Sequence, residues 1–249
     1  MLACMSSPGV SDDEPVPTNQ RIRAAAIYLF ARRGFAAVGI RDIAARAQIT
    51  TSVIYHYVLN KDELLVDIMR IGLRSLVASA TAAVSTRSDP IDRLAALIVN
   101  HMAIEVRQSD TSSVVDHDFR LLGGPQREEI LSIRDEYERL WERVLADGGE
   151  AGLLDVADAR LTRLFCIDMC NGVRRWYRPD GRLSLERVCS TAVDFIFSAV
   201  KAQRDGVSMT FDRATNWPPG YLSEFIASYE GCYEEAARSV QPVRSSDTK

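Results

Sequence analysis

The chain has 249 residues, of which 47% are hydrophobic and 26% charged, and its net charge at pH 7 is −4. This balance is typical of globular proteins and excludes a wholly disordered or collagen-like chain. No apolar run approaches the roughly 18–20 residues that cross a bilayer, and the acidic, proline-rich start lacks the apolar core of a secretory signal. Five cysteines without paired spacing favour reduced thiols. We therefore expect a cytoplasmic protein with no membrane partner.

Charge is distributed unevenly along the chain. Residues 19–78 contain nine basic and four acidic residues, whereas the first 18 residues carry three acids and no base. The remaining residues carry an acidic excess. A basic block joined to an acidic body indicates a local anionic partner, but a merely solvated basic face explains the same charges.

The N-terminal half is predicted to form a tail followed by four helices. Residues 1–18 are predicted to be a flexible tail because they are rich in proline and have little to bury. A first amphipathic helix ends at Gly34. Two short helices are predicted over 40–47 and 51–58, the second with Thr50 as its N-cap. Asn60 opens a long fourth helix, with Glu63 three residues further on.

Helical periodicity continues through the rest of the chain. Asp89-Pro90 is a cap followed by proline at the first helical position, and a weaker segment covers 114–122. The last two core helices are predicted over about 159–177 and 184–204. Residues 205–249 form a C-terminal extension with one further helix over 221–237. Because no sustained alternation of apolar and polar residues occurs, the predicted fold is all-α.

Two short helices joined by a tight turn form the most informative segment. Gln48-Ile49-Thr50 is a connection of the length that a helix-turn-helix uses. The second helix then presents hydrogen-bonding side chains outward, a pattern that suits the major groove of DNA. Lys61 begins the next helix, where a cation opposes the helix dipole unless its ammonium reaches a phosphate.

Residues from about 20 to 65 resemble the DNA-binding domain of the TetR family of bacterial transcriptional repressors. The resemblance is carried by three runs: Ala26 to Phe35, Arg41-Asp42-Ile43-Ala44, and Ile54 to Leu65 with its Tyr-His-Tyr and Asn-Lys-Asp-Glu segments. Two positions depart from the family pattern, because Ala-Gln-Ile stands in the turn where many relatives have glycine, and Val58 replaces a frequent phenylalanine.

The resemblance implies an all-helical homodimer whose N-terminal domain binds a double-stranded DNA operator and whose C-terminal domain binds a small-molecule effector that releases it. It implies a three-helix DNA-binding domain at 19–65, with the helix-turn-helix at about 39–58, and a ligand-binding and dimerisation domain at 66–204. The last two core helices would pair with their symmetry mates as a four-helix bundle. The residues implied in DNA binding are Arg41, Thr50, Thr51, Ser52, Tyr55, His56 and Lys61.

A second unusual stretch runs from Met169 to Arg182 and combines a helical glycine, Gly172, with aromatic and arginine residues. Close helix packing at a dimer contact, with arginines complementing a helix C-terminus, explains the stretch without a ligand. Alternatively, it binds an amphipathic anion. The Asn-Gly…Trp-Tyr-Arg-Pro-Asp-Gly pattern resembles a branch of the family that responds to acyl-CoA thioesters. The candidate ligand-binding residues are His101, Met102, Phe119, Trp141, Asn171, Arg174, Arg175, Trp176 and Arg178.

Other function classes find less support in the sequence. An effector that is uncharged and hydrophobic, as in regulators of efflux or other pathways, remains an alternative to an acyl-CoA. Asp116, His117 and Asp118 diverge by about 100° per residue on a helix and make a poor metal site. We find no cofactor motif and no acid–base or nucleophile constellation, so we expect neither a cofactor nor an enzyme. A DNA-packaging protein would need an overall basic charge.

Overall fold

The computed structural model describes residues 16–239, and most of the predicted flexible tail and the last ten residues of the chain lie outside them. Within residues 16–239 the chain divides into two compact units, residues 16–64 and residues 65–239. The prediction of an all-α fold is confirmed. The α-helices are α1 Thr18–Arg33, α2 Ile40–Ala47, α3 Thr51–Ile54, α4 Lys61–Ser85, α5 Pro90–Arg107, α6 Ser109–Asp118, α7 Gly124–Glu150, α8 Ala159–Asn171, α9 Val173–Trp176, α10 Leu185–Ala199, α11 Phe211–Ala214 and α12 Tyr221–Ser239.

Short elements complete the structure. Two 3₁₀ turns cover Phe35–Ala37 and Phe119–Leu121. Two antiparallel strands of two residues each, β1 Gln203–Arg204 and β2 Val207–Ser208, form a hairpin. No helix in residues 16–239 combines the length and the apolar character that crossing a bilayer requires.

The first unit is a small three-helix core. Ile22, Ala26 and Phe30 of α1 are buried, as are Ile43 of α2 and Ile54 of α3. α3 is shorter than the predicted helix over 51–58, because the amides of residues 56 and 57 bond to carbonyls three residues earlier. Such tightening is common at helix ends, and the β-branched residues here lower the helical propensity.

α5 is the centre of the second unit. Its residues from Leu94 to Ile104 are buried, and α7, α8, α10 and α12 pack around it. The predicted cap at its start is confirmed, since the Asp89 carboxylate accepts hydrogen bonds from the amides of Ile91 and Asp92.

Two predicted helices end earlier than their periodicity indicates. The helix over 159–177 is interrupted at Gly172, which separates α8 from α9. The helix over 184–204 ends at Ala199, and Lys201 takes a left-handed conformation with φ of 46°. The reason is tertiary, because the carbonyl of Val200 accepts a hydrogen bond from the Asp155 amide and the chain then turns into β1.

The C-terminal extension belongs to the second unit as far as the structure describes it. α11 packs on α10, and α12 lies along α5. An aromatic cluster of Phe211, Trp217, Tyr221 and Phe225 forms its core, with the Arg87 guanidinium 4.9 Å from the centre of the Trp217 ring. The Trp217 indole also donates a hydrogen bond to Asp92 over 3.1 Å.

Two adjacent glycines of α7 offer a test of this packing. A Cβ on Gly148 would lie 2.3 Å from Leu154 Cδ1, whereas a Cβ on Gly149 would meet its nearest neighbour at 4.0 Å. We expect Gly148→Ala to lower the free energy of unfolding by about 1–3 kcal/mol through overpacking. Gly149→Ala should raise it by up to about 1 kcal/mol, because alanine favours a helix. Urea unfolding of both variants measures the difference, and equal stabilisation by both would contradict this packing.

Candidate DNA-binding and effector sites

The segment from Thr50 to Tyr57 forms a small platform on a buried anchor. The Thr50 hydroxyl accepts a hydrogen bond from the Val53 amide over 3.4 Å, which confirms the predicted N-cap. Ile54 is fully buried and fixes the segment against the core, so that Ser52, Tyr55 and His56 are exposed. With 58% of its surface exposed, Tyr55 carries a hydroxyl that is free to meet a ligand.

The turn before this segment, Gln48-Ile49-Thr50, contains no glycine. Gln48 itself takes the left-handed conformation, with φ of 56°. The Arg21 guanidinium donates hydrogen bonds to the carbonyls of Ala47 and Gln48, over 2.5 and 3.2 Å. These bonds from α1 hold the turn in a conformation that a non-glycine residue adopts at a cost. The pattern of residues 48–50 alone gives no sign of Arg21.

Lys61 has a structural role that the sequence reasoning missed. Its ammonium donates hydrogen bonds to the carbonyls of Phe35 and Val38, over 3.0 and 2.9 Å, and lies 4.1 Å from the centre of the Phe35 ring. An ammonium has three donors, so one remains for another acceptor. Arg41 differs, because it is exposed and its guanidinium has no partner in residues 16–239.

The second unit contains a cavity of about 90 Å³. It is bounded by parts of α4, α5, α6, α7 and α8, and its walls are largely apolar. The lining residues are Gly72, Leu73, Leu76, His101, Ile104, Glu105, Thr111, Ser112, Val115, Asp116, Arg134, Tyr137, Glu138, Ile167 and Asn171.

The predicted ligand residues divide among four places. His101 and Asn171 line the cavity together. Met102 and Trp141 are buried without lining it. Phe119 lies outside it, with the guanidiniums of Arg127 and Arg134 at 4.5 and 4.9 Å from its ring centre. The remaining four, Arg174, Arg175, Trp176 and Arg178, belong to the stretch that follows Gly172.

A relay of three polar side chains crosses one side of the cavity. His101 Nε2 lies 2.8 Å from Asn171 Oδ1, and His101 Nδ1 lies 2.8 Å from the Tyr137 hydroxyl. Because the amide oxygen can only accept, Nε2 donates to it, and in the neutral ring Nδ1 accepts from Tyr137. Burial raises the pKa of Tyr137, which keeps the phenol protonated as a donor.

Charged groups at the cavity are paired with one another. The Arg174 guanidinium donates to Glu105 over 2.6 Å and to Asp116 over 2.5 Å, and Arg134 donates to Asp116 over 3.4 Å. Burial acts to lower the pKa of Arg174, but the two carboxylates outweigh this effect and raise it. Arg174 therefore stays positively charged, and the carboxylates of Glu105 and Asp116 neutralise it. Its position in the sequence did not reveal this role.

Beyond Arg174, the chain is exposed. Arg175, Trp176 and Arg178 all face solvent, and 56% of the Trp176 surface is accessible. One Arg178 nitrogen donates to the backbone carbonyl of Tyr177 over 3.0 Å, and no carboxylate in the described part of the chain pairs with Arg175 or Arg178. We call Arg175, Trp176 and Arg178 the cationic patch.

α8 and α10 carry exposed apolar side chains. Phe165 of α8 and Phe195 of α10 are 68% and 66% exposed, and Leu161 and Leu164 of α8 are also exposed. Large apolar side chains that are this exposed often mark interaction surfaces. We call these four residues the apolar face.

Metal-binding geometry is missing from the part of the chain that the structure describes, where no three His, Cys, Asp or Glu side chains cluster suitably. Asp116 is engaged by two arginines, His117 is exposed and Asp118 is buried.

Comparisons with known proteins agree with this arrangement. Residues 22–68 match the sequence profile of bacterial regulatory proteins of the tetR family, and residues 87–200 match a tetracyclin repressor-like C-terminal domain. The HTH-type transcriptional repressor KstR2 of Mycobacterium tuberculosis (strain CDC 1551 / Oshkosh) is 31% identical over 165 residues, which cover 66% of this chain and 82% of the relative.

Two solved structures have the same fold. The ketosteroid transcriptional regulator KstR2 of Mycobacterium tuberculosis superposes with a TM-score of 0.70 and 25% identity, covering 77% of this chain and 98% of the other. AibR in complex with isovaleryl coenzyme A and operator DNA superposes with a TM-score of 0.67 and 24% identity, covering 72% of this chain and 97% of the other. Because both family profiles match and the alignment covers 82% of a known repressor, this chain belongs to the TetR family of bacterial transcriptional regulators.

Proposed function

We propose that the chain acts in the cytoplasm as a homodimeric repressor, which binds a palindromic operator and is released from it by an effector in the cavity. The observation that carries the DNA-binding part is the platform built on buried Ile54, which presents Ser52, Tyr55 and His56 to solvent. Because family membership makes the chain a DNA-binding regulator, this platform is the surface that we assign to the major groove.

The DNA-binding side chains divide into two roles. Thr50, Thr51 and Ser52 begin the recognition helix, where side chains reach base edges. Tyr55, His56, Arg41 and the remaining Lys61 donor are assigned to phosphates, which position the protein without reading sequence. Arg41 supports this division, since it is exposed and unpaired within residues 16–239.

A second copy of the chain is the partner that we assign to the apolar face. Phe165 and Phe195 lie on the two core helices whose pairing would form a four-helix bundle. Closed two-fold pairing presents the same patch on both subunits and buries all four side chains of each. On a palindromic operator, the recognition helices of the two subunits would read half-sites about 34 Å apart, which is one turn of DNA.

An acyl-CoA thioester is the effector that we propose. AibR is a structural neighbour that was solved with isovaleryl coenzyme A, and the name of KstR2 ties that relative to ketosteroids. In this chain the cavity offers apolar walls for an acyl group, and the cationic patch offers guanidiniums for phosphates and an indole for stacking. A cavity of about 90 Å³ holds a short acyl group.

We propose that the chain is not an enzyme. Both nitrogens of His101 are engaged in the relay, so the cavity holds no free imidazole base. Burial raises the pKa of Cys166 to about 11 and that of Cys189 to about 12, which leaves these thiols protonated and unreactive at neutral pH.

Tyr55→Phe tests the DNA-binding surface, with Tyr57→Phe as its matched control. Losing a phosphate contact should weaken binding about fivefold to tenfold on operator and unrelated duplexes alike, as fluorescence anisotropy would measure. Tyr57 is half-buried on the inner side, so its variant should bind normally. Normal binding by Tyr55→Phe would remove Tyr55 from the interface.

Phe165→Glu tests the apolar face. A charge at the centre of a buried interface should convert the dimer to a monomer in analytical ultracentrifugation and weaken operator binding strongly. Leu121→Glu serves as the control, because Leu121 is 54% exposed but lies in the turn before α7. If Phe165→Glu remains dimeric, the interface lies elsewhere.

Effector release can be tested on an operator identified by footprinting the promoter of the chain's own gene. We expect acyl-CoA thioesters to release the protein, and the matching free acids to be much weaker because they lack phosphates. Arg175→Ala combined with Arg178→Ala should raise the CoA ester concentration needed for half-release about tenfold. Release by uncharged hydrophobic ligands, with no response to CoA esters, would favour the alternative effector class.

A further inference from the structure

We infer that the Asn171 amide donates a hydrogen bond to the carbonyl oxygen of the effector's thioester, and that His101 and Tyr137 are positioning residues that aim this amide. The inference rests on the proposed acyl-CoA effector and adds the part of that molecule on which recognition depends.

The first step is the orientation of Asn171. Its Oδ1 accepts from His101 Nε2 over 2.8 Å, which fixes the plane of the amide and turns Nδ2 away from the imidazole. Nothing in residues 16–239 accepts a hydrogen bond from Nδ2. Because Asn171 lines the cavity, the structure offers an oriented but unused donor there.

The second step is the rigidity of this donor. His101 is only 3% exposed and lies between two aromatic rings, with the Tyr137 ring stacked at 5.7 Å and the Trp141 ring edge-on at 6.1 Å. The Tyr137 hydroxyl holds the other imidazole nitrogen. The donor therefore needs no rearrangement to bind an oxygen, and preorganised donors discriminate best between ligands.

The third step is the kind of acceptor. Arg134 and Arg174 are paired with Asp116, Arg174 also with Glu105, and Glu138 with Arg163, so the charges at the cavity are already paired. The walls include Leu73, Leu76, Ile104, Val115 and Ile167. A neutral acceptor on an otherwise apolar group fits such a site, whereas a carboxylate would add an unbalanced charge. The thioester carbonyl is the neutral acceptor that every acyl-CoA has next to its acyl group.

The fourth step is the order of groups along the chain. Asn171 lines the cavity as the last residue of α8, and the cationic patch begins at Arg175, four residues further on. An acyl-CoA presents its acyl group, thioester and phosphates in that same order. A thioester at Asn171 thus places the acyl group in the cavity and the phosphates toward the patch.

The test compares each thioester with a thioether that lacks only the carbonyl oxygen. Isovaleryl-CoA and octanoyl-CoA are titrated calorimetrically into the full chain beside S-(3-methylbutyl)-CoA and S-octyl-CoA. We expect the wild type to bind the preferred thioester about tenfold more tightly than its thioether, since the thioether leaves the half-buried Asn171 amide without an acceptor. The measured quantity is this ratio, which a merely structural change would leave intact.

Three variants locate the effect. Asn171→Leu should bring the ratio close to one, and Tyr137→Phe should reduce it because His101 loses the hydroxyl that fixes it. Tyr221→Phe is the matched control, since it removes a phenol that donates to the Glu186 carbonyl and does not line the cavity. The control should keep the wild-type ratio.

The outcomes separate this inference from the proposed function. If thioester and thioether bind the wild type equally well, the role of Asn171 is overturned and the acyl-CoA proposal stands. If the wild type discriminates and Asn171→Leu discriminates equally, another group binds the carbonyl and the inference is also overturned. If no CoA compound binds, the proposed effector class is wrong and this inference falls with it.

Discussion

One constraint on which the second unit depends is the burial of the Arg174 guanidinium. The Arg174 side chain is 9% exposed, and the Glu105 side chain that it meets is 8% exposed. A buried charge without a partner costs several kcal/mol, so Arg174 can stay inside only while both carboxylates reach it. These contacts join α9 to α5 and α6, and Arg134 adds α7 through Asp116. Four helices are thereby held around one cavity by charge pairing rather than by apolar packing alone.

This arrangement explains why the cavity can be apolar in its walls and still surrounded by ions. Each guanidinium and carboxylate at the cavity satisfies another, which leaves little net charge to attract water. The side chains of Tyr137, His101 and Asn171 are likewise hydrogen-bonded to one another, and within residues 16–239 the Asn171 amide nitrogen is left without an acceptor. An apolar group can therefore enter without breaking an ion pair, and the selectivity of the site depends on the few donors that remain.

The sequence predicted the features that depend on residues close together in the chain, namely helices and their caps. Apolar periodicity located the helices, and the caps at Thr50 and Asp89 are present as expected. It could not predict contacts between residues far apart in the chain. Arg21 supports a turn 26 residues away, and Arg174 meets Glu105 and Asp116 across 69 and 58 residues. For the same reason, the position of Lys61 in the sequence indicated a phosphate contact, and only the folded structure shows the two carbonyl groups that its ammonium binds.

α4 is packed tightly where it forms part of the cavity wall. Its residues Gly72, Leu73 and Leu76 form part of the cavity wall, while its first four residues belong to the unit that contains the helix-turn-helix. At Gly72 the helix has no slack, because even a Cβ would lie 3.0 Å from the Thr111 methyl group of α6. To widen the cavity between these two helices, α4 and α6 must therefore move apart.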